Sequence, residues 1–282
     1  MHNIKEIRKD FDAFSKALKK RSIDIDLNKL KKLDIDNRDL IQKKETLEKE
    51  KKDISKTKDK ALFSRSKEIT QSIDKITDQQ SKIKSDLDEI LSSIPNIPHD
   101  DVPIGSNENE NVELTKSGQI PNFEFTPKSH YELGEKLGML DFDLATKTTG
   151  SRFVFVKNKL ALLERAISNF MLDIHTSKNG YEEISPPLLA SENTMFGTGQ
   201  LPKFETDQFE VKLEEGSGRK FLIPTAEVIL TNIVKDKILD LKTLPMRFVA
   251  STPCFRKEAG SYGKDTKGMI RQHQFYKVEL VS

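Results

Sequence analysis

Apolar residues in the first hundred positions recur at helical spacings. Five of them lie three or four residues apart and predict one short amphipathic helix that ends near residues 19–21: Ile4, Ile7, Phe11, Phe14 and Leu18. Two later series repeat every seven residues, which predicts a coiled coil. These positions are Leu33, Leu40, Leu47, Ile54 and Ala61, then Ile69, Ile76, Ile83 and Ile90, with Ile73, Leu87 and Ile94 between them.

A short polar segment, residues 58–66, separates the two heptad series. The simplest arrangement folds the second helix back antiparallel onto the first, because one apolar seam then satisfies both helices. At 1.5 Å per residue, two helices of about 30 residues would form an arm about 45 Å long. An intermolecular coiled coil is the alternative. The break in register near residues 61–68 favours the hairpin.

Proline residues mark the end of this helical part. Pro95, Pro98 and Pro103 each remove a backbone donor, so the second helix should stop there. Beyond them, short β-rich runs such as 152–156 alternate with a helix predicted over 159–177. That helix should turn six apolar residues inward: Leu160, Leu163, Ile167, Phe170, Met171 and Ile174. We therefore predict an α+β protein with a helical hairpin domain at 1–105 and an antiparallel-sheet domain at 106–282.

Composition supports two unlike domains. Of 16 Phe and 4 Tyr, all but Phe11, Phe14 and Phe63 follow residue 120. Residues 43–67 hold ten Lys or Arg against five Asp or Glu, an excess that favours a polyanion such as RNA, although a solvated charged helix surface would look the same. With Cys254 as its single cysteine, and with neither a long apolar run nor a secretory signal, the chain is expected to be cytoplasmic.

The most specific pattern lies between residues 255 and 279. Phe255-Arg256-Lys257-Glu258 precedes a polar loop with three glycines, and Arg271, Phe275 and Glu279 follow at intervals of four residues. This order predicts two antiparallel strands joined by a flexible loop. One face should carry the charged and aromatic side chains Arg256, Glu258, Arg271, Phe275 and Glu279. The alternative is an exposed salt-bridged hairpin, which would not require this order of residue types.

Two earlier stretches add to the pattern. Residues 180–189 combine Gly180 with Pro186 and Pro187, as an ordinary helix, turn and edge strand also would. Residues 222–227 read Leu-Ile-Pro-Thr-Ala-Glu and follow Met-Phe-Gly-Thr-Gly-Gln-Leu-Pro-Lys-Phe at 195–204. With residues 255–279, these stretches resemble the seryl-tRNA synthetases, a family of class II aminoacyl-tRNA synthetases. The resemblance covers nearly the whole chain and includes residues 94–105, which look like the junction between that family's arm and catalytic domain.

The resemblance implies an activity and partners. It implies ATP-dependent attachment of serine to tRNA through seryl-adenylate, with serylation of selenocysteine tRNA as well. The helical arm would bind serine tRNA, and residues 180–189, which resemble motif 1, would form a homodimer with the preceding helix. Mg²⁺ would be held jointly by the phosphates and Glu279.

Residue chemistry agrees with the implied roles in nucleotide binding. Arg256 can offer a forked cation to the α-phosphate and the substrate carboxylate, and Arg271 a second cation to the terminal phosphates. Phe275 presents a flat face to adenine, and Glu258 can accept from its amino group. The resemblance implies catalytic roles for Arg256, Arg271 and Glu279. It implies ATP binding by Arg256, Lys257, Glu258, Arg271, Gln272 and Phe275.

The resemblance also implies a serine site. Its residues would be Thr225, Ala226, Glu227, Arg256 and Glu279. The substrate ammonium and hydroxyl can pair with the carboxylates of Glu227 and Glu279 and with the Thr225 hydroxyl. An amino acid without the hydroxyl would leave a buried acceptor unmatched.

The family carries a third motif, a glycine-rich strand and helix ending in an arginine, that residues up to Ser282 do not contain. The 282-residue chain alone is therefore expected to be inactive. A non-catalytic RNA-binding or dimerising paralogue is the alternative function.

Two smaller clusters admit other interpretations. Metal ligation by His99, Asp100 and Asp101 is an alternative to a linker, although their crowded spacing beside Pro98 suits a linker better. Residues 216–219, Gly-Ser-Gly-Arg, resemble a phosphate-binding loop, but a hairpin turn is the preferred interpretation.

Overall fold

The structure, a computed structural model, describes residues 2–21, 25–57, 60–214, 216–259 and 267–282. They fall into two compact units, Met1–Gln119 and Ile120–Ser282. None of the helices in these described ranges is long and apolar enough to span a bilayer.

Unit 1 is helical. Its helices are α1 (Ile4–Lys9), α2 (Phe11–Lys19), α3 (Leu27–Thr57) and α4 (Phe63–Ser93). The sequence predicted one helix where α1 and α2 stand. Asp10 interrupts it, because its side chain accepts a hydrogen bond from the Ala13 backbone N–H and so starts a new helix.

Helices α3 and α4 form an antiparallel hairpin, as the heptads predicted. Near one end, Arg65 Nε donates to Glu50 Oε1 at 2.9 Å. Near the other end, Leu30 packs with Leu87 and Leu91 in a core that also includes residues of α1 and α2. The heptad residues of α3 up to Ile54 are half-buried, as expected for a two-helix arm with solvent on both sides.

The ends of the hairpin differ slightly from the prediction. Residues 58 and 59 of the predicted connection lie outside the described residues, and Lys60–Leu62 form a 3₁₀ turn. Phe63 to Ser66 belong to α4 instead of the connection, because the helix starts at Phe63. At the other end, α4 stops at Ser93, which confirms that Pro95 ends the helix.

The cluster of His99, Asp100 and Asp101 lies between Pro98 and Pro103 and contacts the end of α2. Lys20 Nζ donates to Asp100 at 2.7 Å, and this hydrogen bond lowers the pKa of Asp100. His99 Nδ1 lies 3.3 Å from Asp101. Among the described residues no group of three or more His, Cys, Asp or Glu could hold a metal ion, so the metal alternative at His99, Asp100 and Asp101 is wrong.

Unit 2 is an α+β domain. Its helices are α5 (His130–Lys136), α6 (Phe142–Thr148), α7 (Asn158–Lys178), α8 (Glu192–Gly197) and α9 (Glu227–Asn232). Its strands are β1 (Leu140–Asp141), β2 (Phe155–Val156), β3 (Glu182–Glu183), β4 (Leu189–Ser191), β5 (Glu210–Val211), β6 (Lys220–Leu222), β7 (Phe248–Phe255) and β8 (Gln274–Val281).

The strands pair mainly antiparallel, as predicted. Strand β1 pairs with β2, β6 lies between β4 and β5, and β7 pairs with β8. The exception is β3, which runs parallel to β7. The strand predicted over 152–156 is only Phe155–Val156. Residues 216–219 lie between the antiparallel strands β5 and β6, which confirms the hairpin interpretation.

Helix α7 is where the sequence predicted, but its apolar stripe is not inward. None of its residues is buried, and Phe170 keeps 62% of its surface exposed. Leu163, Ile167 and Met171 are also exposed, whereas Leu160 and Ile174 are half-buried. The inward prediction is wrong for the four exposed residues. The flank of the helix that carries Ser168 packs on the sheet instead, where Ser168 Oγ lies 2.7 Å from Ser251 Oγ.

Candidate functional site

The longest pair of strands, β7 and β8, organises the candidate site. Their register places Cys254 opposite Phe275 and Ala250 opposite Glu279. Because side chains alternate along a strand, Phe275, Lys277 and Glu279 share one face of β8. Cys254, opposite Phe275 on β7, is fully buried, and burial raises the pKa of its thiol.

The predicted alternation of charged residues holds for only part of the set. Arg256, Glu258 and Arg271 lie outside the strands, because β7 ends at Phe255 and β8 begins at Gln274. They occupy the bases of the connecting loop, whose residues 260–266 lie outside the described ranges. Arg256 still continues the strand pairing by one residue, because its backbone N–H donates to the His273 carbonyl at 2.9 Å, whereas the geometry of the loop bases brings Glu258 and Arg271 to the site.

Arg256 lies at the centre of the cluster. Its guanidinium carbon is 5.2 Å from the centre of the Phe275 ring, within the range of a cation–π contact. Its Nε donates to the Pro224 carbonyl at 3.3 Å, and Pro224 directly precedes Thr225. This contact connects the predicted nucleotide residues to the predicted serine residues.

Glu258 and Arg271 form an ion pair across the base of the loop. Arg271 Nη1 lies 3.1 Å from Glu258 Oε2. The side chain of Glu258 is 19% exposed and that of Arg271 is 46% exposed, so the cation stays accessible to an anionic ligand. Gln272 is buried, and its Nε2 has no hydrogen-bond partner among the residues that the structure describes.

A second polar group lies around Thr225, which is 4% exposed. Its hydroxyl donates to Glu279 Oε2 at 2.6 Å and accepts from Lys277 Nζ at 2.7 Å. Lys277 also pairs with Glu279. A hydroxyl, a carboxylate and an ammonium within hydrogen-bonding distance suit a small polar ligand that carries both charges.

The other predicted serine residues contribute differently. The backbone N–H of Glu227 donates to Thr225 Oγ1 at 3.2 Å, while its side chain is exposed at the start of α9. Ala226 is fully buried and packs with Leu230, Phe248 and Ala250. The Ala226 side chain therefore belongs to the core beneath the site.

Lys277 is a site residue that sequence reasoning missed. It lies two residues from both Phe275 and Glu279 on β8, so the period-two alternation could have identified it. Lys257, in contrast, is exposed and points to a different partner than Arg256. Its ammonium lies 5.7 Å from the centre of the Phe209 ring.

Comparison with known protein families agrees with both units. Residues 208–282 match the family described as tRNA synthetase class II core domain (G, H, P, S and T). Residues 1–98 match the seryl-tRNA synthetase N-terminal domain. The fold and the hairpin site therefore define a class II aminoacyl-tRNA synthetase.

Individual relatives narrow the class. The chain is 73% identical over 282 residues to a serine–tRNA ligase of Pelagibacter ubique, covering all of this chain and 67% of the relative. It is 47% identical to a serine–tRNA ligase of Rhodopseudomonas palustris, of which it covers 68%. The crystal structure of seryl-tRNA synthetase from Pyrococcus horikoshii complexed with ATP superposes with a TM-score of 0.82 at 32% identity, over 99% of this chain and 69% of that one. The chain belongs to the seryl-tRNA synthetase family.

Proposed function

We propose that this chain carries the serine-activating and tRNA-binding parts of an enzyme that attaches serine to tRNA at the expense of ATP. One observation carries the proposal. The Arg256 side chain lies on Phe275 and also donates to the carbonyl next to Thr225, so one cation contacts both the residue proposed for adenine and the segment proposed for serine. The activation step requires this adjacency, because the serine carboxylate must meet the α-phosphorus.

The geometry supports a mechanism without a protein nucleophile. Serine would lie with its ammonium at the Glu279 carboxylate and its hydroxyl at Thr225. Its carboxylate oxygen attacks the α-phosphorus, the bond to pyrophosphate breaks, and seryl-adenylate forms. Arg256 neutralises the charge that develops on the α-phosphoryl group, and Arg271 binds the departing phosphates. A terminal hydroxyl of tRNA then attacks the seryl carbonyl carbon, the bond from that carbon to the phosphate oxygen breaks, and seryl-tRNA ester, AMP and a proton are released.

The residues present fit Mg²⁺ poorly at Glu279. Glu279 Oε2 already accepts from the Thr225 hydroxyl and pairs with the Lys277 ammonium, which leaves this oxygen less available to a metal. In the described part of the chain no cluster of three or more carboxylate, histidine or cysteine ligands supplies a substitute. Mg²⁺ therefore stays a prediction from the resemblance, and no step of the mechanism is assigned to it.

The helical hairpin is proposed as the element that binds serine tRNA and selenocysteine tRNA. Its support is the excess of basic residues over 43–67 together with the match of residues 1–98 to the seryl-tRNA synthetase N-terminal domain.

The boundary between the tRNA-binding part and the catalytic part is proposed after residue 105. It lies before the extended segment with which unit 1 ends at Gln119. A cytoplasmic location is proposed from the single cysteine of the sequence.

Serine-dependent exchange of pyrophosphate into ATP tests the proposed function. The protein used is a chimaera in which residues 1–282 replace the matching 67% of the P. ubique relative. We expect exchange with serine and about a 10⁴-fold lower kcat/KM with alanine, because alanine leaves the Thr225–Glu279 group without its hydroxyl partner. Thr225→Val should reduce this discrimination. Equal exchange with both amino acids, or none with either, would contradict the proposal.

A homodimer is proposed through α7 and the following residues 180–189. The observation behind it is the exposed apolar stripe of α7, which borders an apolar groove of about 750 Å³ against β8. Its occupant is proposed to be the same stripe of a second copy. Self-complementary pairing of this kind is typical of two-fold dimers.

We expect Phe170→Glu to weaken self-association of the chimaera about a hundredfold, since a charge would enter an apolar interface. Sedimentation velocity over a range of concentrations measures this. Ile238→Glu is the matched control, because Ile238 is an apolar residue fully exposed on a different segment. Dimers that persist in Phe170→Glu, or that dissociate equally in both variants, would place the interface elsewhere.

A further inference from the structure

Glu258 has a backbone conformation that needs support from its neighbours. Its φ is 50°, in the left-handed region that residues with a Cβ rarely adopt. This turn of the chain directs its carboxylate to Arg271. Such a conformation persists only where surrounding contacts hold it in place.

Asp207 supplies contacts on both sides of Glu258. The backbone N–H of Lys257 donates to the Asp207 carbonyl at 2.9 Å. The backbone N–H of Ala259 donates to the Asp207 side chain at 2.8 Å. One residue, about fifty positions earlier in the chain, thus accepts from the backbone N–H groups of both neighbours of Glu258, Lys257 and Ala259.

The Arg152 side chain donates to the backbone carbonyl groups of the same turn. Its Nη1 donates to the Glu258 carbonyl at 3.0 Å and approaches the Lys257 carbonyl at 3.4 Å. Its own carbonyl accepts from the His273 backbone N–H at 3.0 Å, next to β8. The start and the return of the loop are therefore tied together near Glu258.

Asp207 is itself well anchored. It ends the 3₁₀ helix Glu205–Asp207, and the Arg219 guanidinium holds that helix through Glu205 while also binding Glu210 and Glu192. Hydrogen bonds to Glu210, Glu205 and Glu192 raise the pKa of Arg219, so it stays cationic. Because Asp207 is held in this way, it can support the strained turn at Glu258 without moving toward it.

We propose that Asp207 is a positioning residue for ATP binding, and that it acts through Glu258. By holding the turn at 257–259, it directs the Glu258 carboxylate and its partner Arg271 toward the nucleotide. The inference rests on the proposed function, because it assigns Glu258 and Arg271 to the ATP site. Asp207 itself touches no reacting group in this assignment.

The test compares Asp207→Ala, Asp207→Asn and Glu258→Ala in the chimaera by pyrophosphate exchange. Asp207→Ala should raise the KM for ATP about ten- to a hundredfold and leave the KM for serine unchanged, since it removes a charged hydrogen bond that only the turn uses. Asp207→Asn keeps an oxygen acceptor and should restore most of the affinity for ATP. Added to Glu258→Ala, the Asp207→Ala change should have almost no further effect, because both act through one side chain.

Glu192→Ala is the matched control at the Arg219 cluster. It removes one of the three carboxylates on Arg219 but keeps the ion pair between Glu205 and Arg219 and both Asp207 contacts to the 257–259 turn, so the KM for ATP should stay unchanged. Additive effects of the Asp207 and Glu258 changes, or an equal rise in the KM values for serine and ATP, would overturn the proposal. A chimaera without any exchange would instead count against the proposed function. Equilibrium dialysis with ATP would then make the same comparison of variants.

Discussion

Replacing Arg256 by alanine should reduce serine-dependent pyrophosphate exchange by the chimaera about a thousandfold or more. Arg256 lies between the two predicted substrate sites, since it contacts Phe275 and the carbonyl next to Thr225. Charge that develops on the α-phosphoryl group strengthens the attraction between that group and Arg256 in the transition state. The loss should therefore appear in kcat as well as in kcat/KM. Single-turnover formation of seryl-adenylate measures the step directly.

Lys257→Ala is the matched control for Arg256→Ala. It removes a neighbouring cation that is exposed and lies over Phe209 instead of Phe275. We expect a much smaller loss of exchange for Lys257→Ala, because a solvated cation contributes little to a reacting group that it does not touch. Equal losses in the two variants would mean that net positive charge, and not the position of Arg256, supports the reaction.

The parts of the fold that repeat were predictable from the sequence. The heptads of α3 and α4 specify a hairpin because apolar residues that recur every seven positions form one stripe on each helix. The two stripes can then pack on each other along their length. Asp10 shows the limit of this reasoning: the apolar spacing continues across it, but a local cap divides the helix. The stripe of α7 shows another limit. Periodicity identifies an apolar face without identifying what covers it, and four of its residues are exposed.

The candidate site was predictable in composition but not in geometry. Arg256, Glu258, Arg271, Phe275 and Glu279 were identified from spacing and resemblance, yet Glu258 and Arg271 lie in loop bases that strand alternation does not position. Partners that are distant in sequence were harder to identify. Thr225 and Glu279 are 54 residues apart and were predicted only from the resemblance. The contact of Asp207 with the 257–259 turn has no sequence pattern at all.

The helical arm gives the prediction with the most selective effect. Residues 41–76 can be excised and replaced by a short glycine linker while Leu30, Leu87 and Leu91 are kept, so that the core shared with α1 and α2 remains. The pair between Glu50 and Arg65 indicates that the two cut ends lie opposite each other. The deletion removes the basic excess at 43–67. Serine-dependent pyrophosphate exchange should stay near its original rate, because residues 120–282 contain every residue assigned to activation.

Charging of tRNA by the same deletion should fall about a hundredfold or more, since the acceptor end would lose the binding energy that positions it. Contacts to phosphates and helix shape should dominate this binding, so the affinity of the intact chimaera for tRNA should fall steeply with salt. The triple change of Lys43, Lys49 and Lys52 to Gln keeps the hairpin and should reduce that salt dependence. Loss of exchange together with charging would show that activation depends on the hairpin. Unchanged charging would show that the hairpin does not bind the tRNA, because its basic surface could then be removed without consequence.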